Sequence, residues 1–304
     1  MPAPPADERR ILIGTSGYSF ADWVGPFYPS GTRSGDFLPF YARHFDAVEV
    51  NSTYYRIPHP RVIEQMERKT PPGFHFVVKL NQAMTHEGAR DPDLYREFLA
   101  AIEPLKAAGK YDGLLAQFPW AFKRTPASLA HLDAMRGHLA GEPLFVEFRH
   151  ASWNDPATAP WLRERGLGFC AVDEPALEGL MPPVIMVTSE DAYVRFHGRN
   201  AANWWGGSGR MMGGAAPVPP PPPAPSAQGG LFAADAPPAP RRAAGDRYDY
   251  DYSERELREW LGRIQELAQQ ARRTYLFFNN CHAGQAARNA KLMQALMRQQ
   301  KLPA

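Results

Sequence analysis

The chain has 304 residues, 44% hydrophobic and 22% charged, with a net charge of +2. That is apolar material for one large core or two small ones. The near-neutral balance argues against a dedicated nucleic-acid or membrane-surface protein, which would show a basic excess or patch. Two cysteines, Cys170 and Cys281, exclude a disulfide framework and a Cys-based zinc site. No apolar run approaches the roughly 18 residues of a membrane span, and the first residues lack the apolar stretch of a secretory leader. A protein of the reducing cytoplasm, with residues 1–10 flexible, is the expectation.

Taken in chain order, short β-branched or aromatic runs alternate with longer helical patterns. Residues 11–16 read as a strand, 36–44 as a helix, 47–52 as a strand and 61–68 as a helix. The alternation continues with strand 74–80, helix 91–108, strand 113–118, helix 126–139, strand 144–149 and helix 156–165. Strands 167–172 and 192–197 follow with no convincing helix between them, because 175–180 offers at most one turn. Helix 253–272, strand 274–279 and helix 286–299 complete the chain. Asp91-Pro92, Thr125-Pro126 and Asp155-Pro156 each set a capping side chain before a helix-starting proline. Ser253 with Glu256 reads as a capping box, and Gly109 and Gly166 stand where helices stop.

Strands alternating with helices in this number predict a single-domain (β/α)8 barrel of the TIM type. The rival, a doubly wound open sheet, lacks its cofactor fingerprint: the first strand runs into Gly14-Thr15-Ser16-Gly17-Tyr18, and no phosphate-binding P-loop occurs. Residues 211–245 break the pattern. They hold ten of the 31 prolines, and without them 269 residues remain, near the roughly 250 of a simple barrel. This Pro/Ala/Gly-rich segment is expected to be a disordered insertion after strand seven. Its polyproline run, residues 217–225, is a ligand type for an SH3-like partner, although a solvated loop is the simpler reading.

Strand residues two apart share a face. That rule sets Glu49, Asn51 and Thr53 together, Glu147 with Arg149, and Arg195 with His197. It sets Lys79 beside Val77, Gln117 beside Leu115, and Asn279 beside Phe277. The opposite faces are apolar and suit packing under helices. The polar set, joined by Asp173, is therefore expected inside the barrel near the carboxyl ends of its strands. There it forms either an internal ion-pair plug or a site. Counting His197 with Lys79, Arg149 and Arg195, the cationic groups outnumber Glu49, Glu147 and Asp173, so the expected ligand is a polar, anionic small molecule bearing phosphate or carboxylate. Lys79, Arg149 and Arg195 would hold it, and Glu49, Asn51, Gln117 and Asn279 would orient it. Tyr18 and Tyr54, with Trp23, Tyr55, Trp204 and Trp205, would stack on it or close the barrel top.

Acid–base catalysis fits this set, with Glu147, His197 and Asp173 as proton-transfer groups. Lys79 is a further catalytic candidate, as a Schiff-base amine or, more simply, as a clamp held by Glu49. A glycosidase pair would use Glu49 and Glu147. No cofactor is required; a mononuclear divalent metal would draw on Glu147, Asp173, His197 and His282. Cys281 reads as an inert buried thiol. The alternatives are a non-enzymatic metabolite-binding barrel and a nucleic-acid-processing or metal-dependent hydrolase.

Several motifs in order resemble the bacterial YecE-like family, a domain of unknown function. They are Ile13-Gly14-Thr15-Ser16-Gly17-Tyr18 with Trp23, Val48-Glu49-Val50-Asn51-Ser52-Thr53-Tyr54-Tyr55, and Gln117-Phe118-Pro119. They continue with Val146-Glu147-Phe148-Arg149-His150, Val172-Asp173-Glu174-Pro175, Tyr193-Val194-Arg195-Phe196-His197-Gly198 and Phe278-Asn279-Asn280. The resemblance spans about residues 11–296 and implies a TIM barrel without an established reaction. It also brings a fold-level analogy to endonuclease-IV-like and sugar-isomerase-like barrels, hence to metal-dependent or DNA-directed chemistry. This chain lacks the rich His/Glu/Asp set of a multinuclear centre. The proline-rich expansion stands where the family pattern has a short link.

Overall fold

The computed structural model describes residues 10–205, 247–300 and 302. The expected insertion 211–245, its polyproline run and residues 1–9 lie outside the described residues. Eight strands close into a parallel barrel in sequence order, with β8 pairing back onto β1. They are β1 (Arg10–Ser16), β2 (Ala47–Val50), β3 (His75–Lys79), β4 (Tyr111–Gln117), β5 (Leu144–Glu147), β6 (Leu167–Asp173), β7 (Ala192–Phe196) and β8 (Arg273–Phe278). The (β/α)8 barrel expected from the alternation is the observed fold. Arg10, expected in the flexible terminus, opens β1 instead: its N–H donates to Arg272 O at 3.1 Å.

The helices are α1 (Phe37–Tyr41), α2 (Ser52–Tyr55), α3 (Pro60–Arg68), α4 (Gln82–Thr85), α5 (Pro92–Ala107), α6 (Pro126–His138), α7 (Thr158–Glu164), α8 (Glu254–Gln270) and α9 (Gln285–Gln299). Local chemistry sets their starts. Asp91 accepts from Asp93 N and Thr125 from Ser128 N, each followed by proline at N1. Ser253 and Glu256 form the reciprocal capping box. Asp155 differs: it accepts from Ala157 N at 2.8 Å, but α7 begins only at Thr158, so Pro156 belongs to the preceding turn. The link from β6 to β7 carries no helix, as expected. It doubles back so that Leu180 bridges His150 and Met181 N donates to Arg149 O at 3.1 Å.

Inside the barrel, side chains stack in layers. At the amino end, Asp112 takes His75 Nδ1 at 2.6 Å and a contact from Arg273. Above it, Phe145, Tyr193, Tyr275 and Phe277 form an aromatic floor, with ring centroids 4.8 to 6.2 Å apart along the packed pairs. All four are buried. The charged residues lie above this floor, toward the carboxyl ends.

Candidate functional site

The register brings the period-two set together. Ser16 lies beside Glu49 on adjacent strands, Gln117 beside Glu147, and Val172 beside Arg195. Arg195 is the hub. Its Nη2 donates to Glu49 Oε1 at 2.7 Å and its Nη1 to Glu147 Oε2 at 2.6 Å. Glu49 also accepts from the Tyr193 hydroxyl at 2.7 Å. Arg149 Nε donates to the other oxygen of Glu147 at 2.5 Å, and Arg149 Nη1 to Glu174 at 3.1 Å. Glu174 is held in turn by Met181 N at 3.1 Å, because the β6–β7 link folds back over the end of β5. The result is a chain of alternating carboxyl and guanidinium groups, Glu49–Arg195–Glu147–Arg149–Glu174. Its five members are all buried.

Burial opposes the charge of Glu147, but Arg149, Arg195 and His197 outweigh it and hold the carboxyl well below its ordinary range. Burial pushes Glu174 the other way, up to about 8, against the pull of Arg149. Glu174 is therefore largely a neutral carboxyl near pH 7. His197 is fully enclosed, and burial followed by Arg149 holds its pKa well below the usual value. Its Nδ1 accepts from the Asn279 amide at 3.0 Å. With the amide in that orientation the ring proton sits on Nε2. Nε2 lies 3.2 Å from Glu147 Oε1, near enough for attraction but not aligned as a hydrogen bond. Glu147 and His197 are thus members of one enclosed network.

Lys79 differs from its neighbours. Its Nζ donates to Gln117 Oε1 at 2.8 Å and lies 4.3 Å from the centre of the Tyr54 ring. Among the described residues no carboxylate lies within ion-pairing distance, so Glu49 does not hold it, contrary to expectation. Burial, then Arg195, lowers its pKa to about 7, with Glu49 and Glu147 opposing. His86 packs against Tyr54 at 5.1 Å, and burial, then Lys79, lowers it to about 4.

Three expected site residues lie elsewhere or differently. Asp173 neighbours Phe196 across the β6–β7 pair and points out of the barrel. There it accepts from the Tyr252 hydroxyl at 2.7 Å, Trp260 Nε1 at 2.5 Å and Arg199 Nη2 at 2.7 Å. It anchors α8 to the barrel wall rather than serving the mouth. Tyr18 packs beside Tyr41 at 6.2 Å, and burial raises its pKa to about 12. Asn51 is not a strand residue: β2 ends at Val50 and Asn51 turns the chain into α2. That turn carries Thr53 off the Glu49 face, to bond Lys79 O at 2.6 Å. Asn51 remains half-buried, with an Oδ1 that has no hydrogen-bond partner among the described residues.

Of the four residues considered for a metal, Asp173 is spent on α8, and His282 lies 2.9 Å from Asp249. Among the described residues no group of three His, Cys, Asp or Glu side chains is arranged to hold an ion. Cys170 and Cys281 are thiols whose pKa burial raises. Sequence reasoning missed Glu174, Tyr193 and Ser16. It also missed Tyr248, whose ring lies 6.0 Å from that of His197. Trp204, proposed as a lid, packs near Arg149 at 5.8 Å. Gly198, two residues past β7, has φ +90°, and a Cβ there would sit 2.6 Å from Tyr250; only glycine permits that approach.

A concavity of about 890 Å³ lies at the opposite end of the barrel, beside α6 and α7. Its charges are already engaged: Arg136 Nη1 donates to Glu142 O at 2.9 Å, and Arg272 lies 3.3 Å from Asp191. No helix among the described residues is long and apolar enough to cross a membrane.

A family model described as "Protein of unknown function DUF72" matches residues 12–304. The UPF0759 protein YunF of Bacillus subtilis (strain 168) is 29% identical over 299 residues, covering 94% of both chains. The UPF0759 protein YecE of Escherichia coli (strain K12) is 32% identical over 161 residues, which is 52% of this chain and 55% of that protein. A crystal structure of a DUF72 family protein from Thermotoga maritima MSB8 superposes with a TM-score of 0.77 at 37% identity. That match covers 95% of this chain and 99% of the other. An Enterococcus faecalis V583 family member gives 0.75 at 26% identity, covering 95% of each.

Proposed function

Because this chain belongs to the DUF72 family, matched over residues 12–304, and that family's description assigns no reaction, we propose a function from the geometry of its mouth. It is a barrel enzyme that acts by acid–base chemistry on a polar, anionic small molecule at the carboxyl ends of its strands. The distribution of charge with depth carries this reading. Glu49 and Glu147 are wholly buried and already bound to Arg195. Lys79 is partly exposed and unpaired by any carboxylate among the described residues. Arg149 spends Nε on the Glu147 carboxylate and Nη1 on the Glu174 carboxyl, while its Nη2 makes no hydrogen bond among the described residues. An entering ligand therefore meets donors and positive charge, with the negative charge neutralised beneath.

Lys79, at about 7, exchanges a proton near neutrality. Glu174, at about 8, is a protonated carboxyl on the far side of Arg149. Glu147 and His197, expected to move protons, instead support the network that orients Arg149 and Arg195. Their commitment also supports a second reading, a barrel that binds a metabolite without converting it.

Thermal unfolding with phosphorylated or carboxylated metabolites, set against neutral sugars, tests the proposal. Anionic compounds should stabilise the wild type, by about 2.7 kcal/mol at a hundredfold excess over Kd. Lys79→Met should lose most of that gain. Equal stabilisation by neutral sugars, or an unchanged response in the variant, overturns the reading. Mass analysis of the recovered ligand then separates catalysis from binding.

A further inference from the structure

Lys79 is an unusual lysine by its surroundings alone. It ends β3 half-buried in a barrel mouth, where enclosed lysines ordinarily pair with carboxylates. Here the amine rests on an amide oxygen, Gln117 Oε1, and on the face of Tyr54. The neighbouring carboxylates Glu49 and Glu147 are occupied by Arg195 and Arg149. Among the described residues no carboxylate pairs directly with the amine to fix its ammonium form. Desolvation with cationic neighbours is the arrangement that frees a lysine lone pair for nucleophilic attack.

We propose that Lys79 is an imine-forming nucleophile whose Nζ adds to the carbonyl carbon of an anionic carbonyl compound, an oxo acid or oxo phosphate, with its anionic group on Arg149. This rests on the anion-binding reading above and deepens it. The Nζ lone pair forms the carbon–nitrogen bond while the carbonyl π pair moves onto oxygen. One amine proton passes to that oxygen, giving a carbinolamine. The carbon–oxygen bond then breaks and the hydroxyl leaves as water, taking the second amine proton, so an imine and one water replace the amine and carbonyl. No oxidant or reductant is consumed. Protonation of the imine makes it an electron sink for breaking a bond to the adjacent carbon. The free base this requires is present near neutral pH, since burial and Arg195 bring Lys79 to about 7.

Reductive trapping on the full chain tests the proposal. The protein is incubated at pH 7 with cyanoborohydride and pyruvate, dihydroxyacetone phosphate or neutral hydroxyacetone, and the peptides are mapped by mass. The peptide containing Lys79 should gain one reduced adduct at least about tenfold faster than the exposed Lys69 and Lys123, because far more of its amine is free at pH 7. Pyruvate and dihydroxyacetone phosphate separate a carboxylate from a phosphate as the recognised anion, and both should outpace hydroxyacetone. Lys79→Met and Lys79→Arg should abolish the adduct, while Gln117→Asn should keep it at a reduced rate. If Lys79 reacts no faster than Lys69 and Lys123 while anions still raise the melting temperature, imine formation is overturned and the anion-binding reading stands. If neither adduct nor stabilisation appears, both fall. Labelling by hydroxyacetone as fast as by the anionic probes overturns the assigned substrate class.

Discussion

Glu147 accepts from both Arg149 and Arg195 with no exposed surface, so removing its charge takes a shared partner from two buried guanidinium groups and leaves them Glu174 and Glu49. Glu147→Gln should cost about 3–5 kcal/mol in urea denaturation; a cost under about 1 kcal/mol would mean the network is not a support. Glu174 carries a pH signature. Its folded pKa lies near 8, above the ordinary 4.5, so the folded state favours the neutral acid. Its contribution is fully present below pH 4.5 and is lost as pH rises through 8. Wild type should therefore lose stability relative to Glu174→Gln across that interval, and parallel denaturation curves for the two proteins would refute the assignment. The alternation of polar and apolar residues made Glu49, Glu147, Arg149 and Arg195 legible as one inward set. Glu174 was not legible, because a returning loop rather than strand parity aims it at Arg149. Tyr193 was hidden because an aromatic in a strand reads as core until its hydroxyl is seen on Glu49.

At the scale of elements, the strands were legible because their ends coincide with changes in composition, and the helix starts because capping side chains precede proline. The errors arose where a period was carried past the end of its element. Asn51 and Thr53 were read as strand, but α2 begins at Ser52. Asp173 lies in β6, which is buried at every position, so no alternation told its two faces apart. Its three side-chain donors, from Tyr252, Trp260 and Arg199, make it the tie between α8 and the barrel. Asp173→Asn should destabilise the fold by about 1.5–3 kcal/mol. It should also speed amide hydrogen exchange in α8 while leaving anion binding at the mouth intact. Loss of ligand binding at unchanged stability would return Asp173 to the site.

Across the whole molecule, a net charge of +2 conceals a dense, internally compensated cluster within the barrel. A buried, compensated cluster differs from an exposed basic surface that tracks a nucleic-acid backbone. Any affinity for duplex DNA should be weak, and binding of a small anion should change little with salt because its contacts are shielded from bulk ions. The steep logarithmic salt dependence of multiple backbone contacts would instead favour the DNA-processing analogy. The aromatic floor of Phe145, Tyr193, Tyr275 and Phe277 has a kinetic consequence. Among the described residues these four buried rings close the amino side of the well, so entry and release are expected to share the mouth. Product retained there excludes the next reactant, and inhibition by product should be competitive.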